Sequence, residues 1–251
     1  MKLLRTIYMA KVALITGAAQ RIGREIAMCF HAQGWNLVLH FQTSEGQANE
    51  LCEQLNSVRT NSTRLVRGDL SDPACTEQAA DHWFSSDQRL DLLINNASVF
   101  SAQPLSSIDL AHWESTINTN LRGPLFLCQA LAPKLEESNG SIINIADVYA
   151  QQPLQHYSVY SISKAGLVMM TRALALELAP NIRVNAISPG AILHPSNSQP
   201  EESAWVDSLL KKVPLNRTGN ASDIAITALY LATNSYTTGQ VIAVDGGRLI
   251  S

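Results

Sequence analysis

Tyr160 and Lys164 stand four residues apart at the start of a strongly apolar segment. On a helix, that spacing projects both side chains from one face. A lysine cation beside a phenol favours the phenolate and is expected to lower the phenol pKa from about 10. A phenol tuned in this way can deliver a proton near neutral pH. Taken alone, a pair at this spacing is usually ordinary surface spacing. Two further polar residues add to it. Asp147 precedes Tyr160 by thirteen residues at the end of an apolar run, and Asn120 sits among Leu121, Leu125 and Phe126. Asp147 either takes part in moving the proton or only hydrogen-bonds Tyr160 or caps a turn.

A second group of residues suits a phosphate-bearing cofactor. TGAAQRIG at 16–23 follows the first apolar run and leads into a helical pattern, with Gly17, Arg21, Ile22 and Gly23 on the approach. Small residues let a backbone come close to a pyrophosphate, and a helix N-terminus offers N–H donors and a favourable dipole. A mere tight turn is the other reading. Nicotinamide sites that use NAD usually place an acid after the second strand. No Asp or Glu occurs between Asn36 and Ser44, where the chain offers His40, Gln42, Thr43 and Ser44, with Arg21 opposite. Neutral donors with a guanidinium accept a 2′-phosphate, so NADP is expected. Thr43 and Ser44 also suit helix capping, and His40 is as well explained as a packed ring. GDLSD at 68–72 puts Asp69 near an adenine amino group, with Leu70 beside it. INNAS at 94–98 lays Asn95, Asn96 and Ala97 along a ribose. Each alone would be turn chemistry, but both fall at strand ends.

The elements that carry these groups alternate from end to end. Strands are predicted at Val12–Thr16, Asn36–His40, Thr63–Arg67, Leu90–Asn95, Ser141–Ile145, Ile182–Ile187 and Gln240–Val244. They are rich in Val, Ile and Leu without polar alternation, as strands buried on both faces should be. Helices are predicted near Ile22–Gln33, Gly46–Val58, Ala74–Phe84, Asp109–Leu135, Tyr157–Ala179 and Ser222–Thr233, with Ser71 and Ser222 as N-caps and Gly34 as a C′ residue. The pattern predicts an α/β fold: one doubly wound, Rossmann-type domain with a seven-stranded parallel sheet flanked by helices. One irregular stretch, GAILHPSNSQP, runs from Gly190 to about Pro200, and Trp205–Val213 reads as a short amphipathic segment. A substrate lid and a surface excursion fit the 190–213 region equally.

Length and composition set the bounds. At 251 residues the chain falls short of two domains of about 150 residues each. Hydrophobic residues make up 46%, enough for a sizeable core. Charged residues make up 16%, below the roughly 25% typical of soluble domains, which fits a surface partly covered by subunits. Between Ala165 and Ala179 only Arg172 and Glu177 are charged. A helix apolar all round is buried on both sides, and a homotetramer is expected. Eighteen basic and 21 acidic residues leave a net charge of −3, no footprint for nucleic acid or an anionic membrane. Cys29, Cys52, Cys75 and Cys128 are scattered, which suggests buried thiols in a reducing compartment and neither disulfides nor a metal site. No signal peptide or membrane-spanning run is present, so the cytosol is the expected location. Residues 1–10 read as an N-terminal extension, with Met9 a possible start.

Taken together, TGxxxxxG, the Asp69–Leu70 pair, NNAS, Asn120, YxxxK and the SPG at 188–190 resemble a short-chain dehydrogenase/reductase from Val12 to Arg248. The resemblance implies that Tyr160 is the general acid/base and that Lys164 holds the nicotinamide ribose and tunes it. It also implies that Asn120 supports a water chain and that Pro189 and Gly190 contact the cofactor. Most members carry Gly at the positions of Arg21 and Ser98, and Ser at that of Asp147. TGAAQRIG, HFQTS, NNASVF, Asp147, Tyr160, Lys164 and QQPLQHYSVY resemble instead the pteridine reductase branch. Ile192 and Gln42–Thr43 depart from that branch's trypanosomatid members.

On this likeness Phe100 stacks on a pterin and sandwiches it against the nicotinamide. Ser98 and Arg21 contact the pterin or a cofactor phosphate, and Tyr157 and Asp147 hydrogen-bond the heterocycle. The chemistry of the residues agrees. Phe100 offers an aromatic platform, and reducing a C=N bond needs hydride at carbon and a proton at nitrogen, which an acid linked to Asp147 can relay. A carbonyl reductase, such as a 3-oxoacyl-carrier reductase, is the alternative within the family. A non-catalytic NADP-sensing protein is a further one, although such proteins usually lose the Tyr or the Lys.

Overall fold

The computed structural model describes residues 10–85, 88–192 and 210–251. Most of the expected N-terminal extension and of the 190–213 region lies outside them. The strands are β1 (Val12–Ile15), β2 (Asn36–Phe41), β3 (Thr63–Arg67), β4 (Leu92–Asn95), β5 (Ser141–Ile145), β6 (Arg183–Pro189) and β7 (Val241–Val244). All pair in parallel, in the order β3-β2-β1-β4-β5-β6-β7. The order reverses between β1 and β4. Open α/β sheets form a crevice at such a point, beyond the carboxyl ends of the strands.

Each face of the sheet carries its own core, because successive strand residues point to opposite sides. Ala13, Ile15, Leu37, Leu39, Leu92 and Ile94 pack against α1 (Arg21–Ala32) and residues 221–233. Leu14, Val38, Leu93 and Ile142 pack on the other face, against residues 123–137 and 158–177. Full burial of each such side chain stabilises the fold by about 1.5–3 kcal/mol. The strands therefore need no polar alternation.

The helices depart from expectation where capping and proline chemistry intervene. After α2 (Glu45–Val58), the helix expected over 74–84 is two pieces, α3 (Pro73–Glu77) and α4 (Ala79–Trp83). Asp72, not Ser71, caps α3 by accepting from Ala74 N–H, while the Ser71 hydroxyl donates to Asp69. The helix expected over 109–135 is interrupted. It runs as α5 (Leu110–Ile117), a π turn over Asn118–Arg122, and α6 (Gly123–Glu137). Pro124 has no N–H for the Asn120 carbonyl, and the turn loosens so that Gly123 N–H reaches Asn118 O. α7 (Ser158–Glu177) starts one residue late, leaving Tyr157 as its N-cap. α8 (Ala221–Thr233) is capped by Asn220 rather than Ser222, and Asn220 N–H donates to Asp223 at 2.9 Å. Gly34 follows the α1 cap with φ +84°, as expected. Three of the cysteines are half-buried and Cys128 is fully buried; all are free, and burial pushes the Cys128 thiol up to about 12. No helix among the described residues is long and apolar enough to cross a membrane.

His40 ties the first three strands together. Gly17 N–H donates to its Nδ1 at 3.3 Å, and its Nε2 lies 3.1 Å from Gly68 O. The ring is therefore the Nε2–H tautomer. Burial lowers its pKa from 6.5 to about 4. Protonation thus favours the unfolded chain. The stabilising share is complete above pH 6.5 and is lost as pH falls from there to about 4, roughly 3 kcal/mol in all. Urea unfolding across this range is expected to show that loss in the wild type and a shallower slope in His40→Gln. Parallel slopes would remove His40 from the account.

Candidate active site

A cavity of about 550 Å³ opens beyond the carboxyl ends of β1, β2, β4 and β5. One wall is the 16–23 turn. Thr16 Oγ1 accepts from the N–H groups of Asn96 and Ala97 at 2.9 and 3.0 Å. The Asn96 amide donates back to Thr16 O and Gly17 O at 2.9 and 3.0 Å. Gly17 sits at φ +60°, and a Cβ there would come within 3.0 Å of Ala97 Cα. A Cβ on Gly23 would lie 2.3 Å from Gly17 O and 2.6 Å from the Asn96 amide. The turn is thus as close to its neighbours as glycine permits, leaving the start of α1 open to the cavity.

Arg21 occupies the first position of α1 at φ +49°, exposed, with no hydrogen bond or ion pair among the described residues. Ile22, Gln42, Thr43 and Ser44 continue the wall. Ser44 holds the N-cap position of α2 without bonding the helix; its hydroxyl accepts from the Gln20 side chain at 3.1 Å. A guanidinium without a partner, beside hydroxyls and no carboxylate, suits a phosphate monoester. The close glycine turn beside it suits a pyrophosphate.

At the far end, Tyr160 and Lys164 come from the first turns of α7 and Asp147 from just after β5. Tyr160 Oη donates to Asp147 Oδ2 at 2.7 Å, and Tyr149 N–H donates to Asp147 Oδ1 at 2.9 Å. Lys164 Nζ donates to Ile145 O at 2.9 Å and lies 5.7 Å from the centre of the Tyr160 ring. The expected lowering of the phenol pKa does not occur. Burial first, then the charge of Asp147 and the bond to it, push Tyr160 above its usual value. Burial also raises the Asp147 carboxyl, against the Tyr149 and Tyr160 bonds and the charges of Lys164 and Arg248. Lys164 is pulled down to about 8 by burial, with Asp147 opposing. Tyr160 is therefore the donor of this pair and Asp147 its acceptor.

Phe100 is half-exposed at this end. It stacks on Tyr157 with ring centres 4.4 Å apart and meets the edge of Tyr160 at 4.7 Å. Ser98 lines the same wall, as do Leu70, Asn96, Ala97, Pro189 and Gly190. Of the 190–213 region, Gly190, Ala191 and Ile192 reach the cavity among the described residues.

Several expected site residues serve elsewhere. Asp69 does not line the cavity, and its Oδ1 accepts from Ser71 N–H and Oγ at 2.8 and 2.7 Å. His40 lines it, but both ring nitrogens are engaged by backbone. Asn120 lies behind the wall: its Oδ1 accepts from Val99 N–H at 2.8 Å and its Nδ2 donates to Val99 O at 2.9 Å. It clasps the loop that carries Phe100. Asn95 is buried and donates to Asn144 at 2.8 Å. Tyr157 is outside the cavity wall and reaches it only through Phe100. Conversely, Gln20, Thr119, Tyr149, Thr218 and Arg248 line the cavity without having been singled out from sequence. Tyr149, two residues after Asp147, was within reach of a careful reading. Arg248 arrives from the C-terminal turn, and no local pattern marks it.

A family described as enoyl-(acyl carrier protein) reductase matches residues 17–248. Pteridine reductase 1 of Leishmania tarentolae is 32% identical over 284 residues, covering 95% of this chain and 96% of that protein. A 3-oxoacyl-[acyl-carrier-protein] reductase of Thermotoga maritima is 33% identical over 244 residues, covering 96% and 98%. 3β-Hydroxysteroid dehydrogenase 1 of Eggerthella lenta is 32% identical over 249 residues, covering 96% and 94%. Among solved structures, a blue fluorescent protein from a metagenomic library in complex with NADPH superposes with a TM-score of 0.87 at 32% identity, over 95% of this chain and 97% of that one.

The sterics of the turn are testable. In Gly23→Ala the new Cβ meets backbone at 2.3 Å, which no side-chain rotation relieves. Overpacking of this kind typically costs about 1–3 kcal/mol. Urea unfolding should show a loss of that size, whereas Gly46→Ala, whose Cβ would meet nothing within 4 Å, should show none. Equal stability of the two variants would mean that the turn has room to spare.

Proposed function

The chain belongs to the short-chain dehydrogenase/reductase family, and within it we propose an NADPH-dependent pteridine reductase that converts a dihydropterin, of the dihydromonapterin or dihydrobiopterin type, to the tetrahydropterin. The observation that carries this reading is the hydrogen bond from Tyr160 to Asp147 in a cavity walled by Phe100. The likeness to pteridine reductase 1 of Leishmania tarentolae supports it. A 3-oxoacyl-carrier reductase, for which a relative is equally similar, would call for Ser at position 147.

NADPH, when bound, supplies a hydride to the substrate ring carbon. Arg21 and Ser44 would hold its 2′-phosphate, and the 16–23 turn its pyrophosphate. Lys164, positively charged below about pH 8, would donate to the ribose from its seat on Ile145 O. Phe100 would carry the flat heterocycle on its exposed face. Reduction of a C=N bond leaves the ring nitrogen needing a proton. Tyr160 Oη can give one, and Asp147 Oδ2, after taking a proton from solvent, is placed to pass it to the phenolate across the 2.7 Å contact. Burial holds this carboxyl above its usual pKa, which makes it readier to take up a proton than an ordinary surface carboxylate. We place the enzyme in the cytosol, given its free thiols.

We also propose a homotetramer. Ile162, Met169 and Leu176 form an exposed apolar stripe at seven-residue spacing along α7. A second set of exposed residues is Ile226 and Tyr230 on α8, Tyr236 in the turn after it, and Ile250 in the C-terminal turn. Two separate apolar faces, each pairing with its own copy, close into four subunits. Light scattering at micromolar concentration should report four, and Met169→Glu should give a smaller species. A monomeric wild type overturns this assembly.

The assay that tests the activity follows NADPH oxidation by a dihydropterin beside an acetoacetyl thioester. Dihydropterin is expected to be the better substrate, with NADPH favoured over NADH; preference for the thioester would return the carbonyl-reductase reading. Asp147→Ser should lower kcat by about 10²–10⁴-fold with a smaller change in KM. Its pH profile should move as well, since coupled groups titrate together. Tyr160→Phe sets the level for complete loss of the acid. Wild-type kcat and an unmoved profile in Asp147→Ser would remove the relay.

A further inference from the structure

Arg248 stands in the C-terminal 3₁₀ turn after β7 and is 8% exposed. It lines the same cavity as Asp147, Tyr160 and Phe100. Its guanidinium lies over the face of Tyr149, 4.8 Å from the ring centre. Among the described residues the side chain makes no hydrogen bond and no ion pair, and its Nε is sealed from solvent without an acceptor. The nearest carboxylate in sequence is engaged: Asp245 accepts from Gly247 N–H and Leu249 N–H, each at 2.8 Å. Those bonds fix the turn. Ser251 Oγ adds another by donating to Arg248 O at 2.9 Å.

A buried guanidinium without an acceptor is costly, and proteins ordinarily pair it. This one is held by a rigid turn and a stacked ring, beside the proton-transfer pair, with none of its N–H groups bonded among the described residues. Tyr149 steadies it from one side without satisfying any N–H. Its planar fork matches oxygen acceptors such as a carbonyl or a carboxylate. We propose that Arg248 is a substrate-binding residue that donates hydrogen bonds to an oxygen acceptor on the substrate.

The inference deepens the pteridine reading and rests on it for the identity of that oxygen. On an amino-pyrimidinone it is the ring carbonyl, and on a substrate with an acidic tail it is the tail carboxylate. A carboxylate at Asp147 and a guanidinium at Arg248 together complement the donor and acceptor edges of such a ring.

Arg248→Met and Arg248→Lys test the assignment with the NADP-loaded protein. Steady-state kinetics are run with 6-methyl-7,8-dihydropterin, with dihydrofolate and with acetoacetyl-CoA, and binding of plain pterin is measured by calorimetry. Arg248→Met is expected to raise KM about tenfold or more, with kcat within about twofold, and to weaken pterin binding in step. Arg248→Lys should recover part of both, and serves as the readout if the Met variant fails to fold. Loss with both pterins identifies the ring carbonyl, and loss with dihydrofolate alone identifies the tail carboxylate. If the wild type turns over acetoacetyl-CoA and neither pterin, the pteridine reading falls, while a raised KM for that thioester in Arg248→Met keeps Arg248 in its role. Unchanged KM for whichever substrate the wild type uses overturns the proposal. So does a moved pH profile at constant KM, which would make Arg248 a charge acting on Asp147, or a wild type that binds none of the compounds.

Discussion

The hydroxyl of Thr16 accepts from the N–H groups of Asn96 and Ala97, and the Asn96 amide returns to Thr16 O and Gly17 O. This clasp joins the ends of β1 and β4, the neighbouring strands from which the chain departs in opposite directions. The two loops that wall the cofactor end of the site take their positions from it. The turn that follows β1 is pressed on by Ala97 and Asn96 until only glycine fits at 17 and 23. The loop that follows β4 carries Ser98 and Phe100 outward, and Asn120 fastens it from behind through Val99. Asn120 can do so because the π turn created before Pro124 places it there. A polar side chain in a helix, a proline and a strand end thus act as one device.

Burial governs the electrostatics on the other side of the cavity. Raising the Tyr160 pKa leaves a phenol that donates to Asp147 at 2.7 Å, not a preformed phenolate. Lys164 cannot prevent this, because its ammonium is engaged by Ile145 O and is itself weakened by burial. Groups in such close contact titrate as a coupled unit. The expectation of a lowered phenol pKa took account of the neighbouring cation and not of desolvation, which is the larger effect here.

The sheet and most element boundaries were legible because apolar runs buried on both faces leave a signal within a few residues of sequence. The glycine turn, the Tyr–Lys pair and Phe100 were legible for the same reason: each depends on local spacing. What the sequence hid was competition among partners. Asp69 binds Ser71, His40 binds backbone on both sides, and Asn95 pairs with Asn144, so residue types suited to a ligand are already occupied. Caps moved by one or two residues because Asp72 and Asn220 reached their helices before the serines did. Arg248 was invisible because its place in the cavity depends on where β7 returns to the sheet, a contact far from any motif.

The choice of Asp over Ser at position 147 bears on more than proton supply. A serine hydroxyl could bond Tyr160 and would remain neutral whatever the substrate did. A carboxyl can change its charge, and around it stand groups that respond to that charge: the phenol at 2.7 Å, the Lys164 ammonium and the Arg248 guanidinium. When the phenol loses its proton to a substrate nitrogen, the negative charge arises where both cations already attract it. A proton that Asp147 takes up from solvent can then restore the phenol, leaving Asp147 ionised within reach of the same cations. An imine nitrogen whose basicity changes during reduction gains from a donor that adjusts with it. The carboxyl at position 147 thus gives the phenol a neighbour whose charge can change, which a serine there would not.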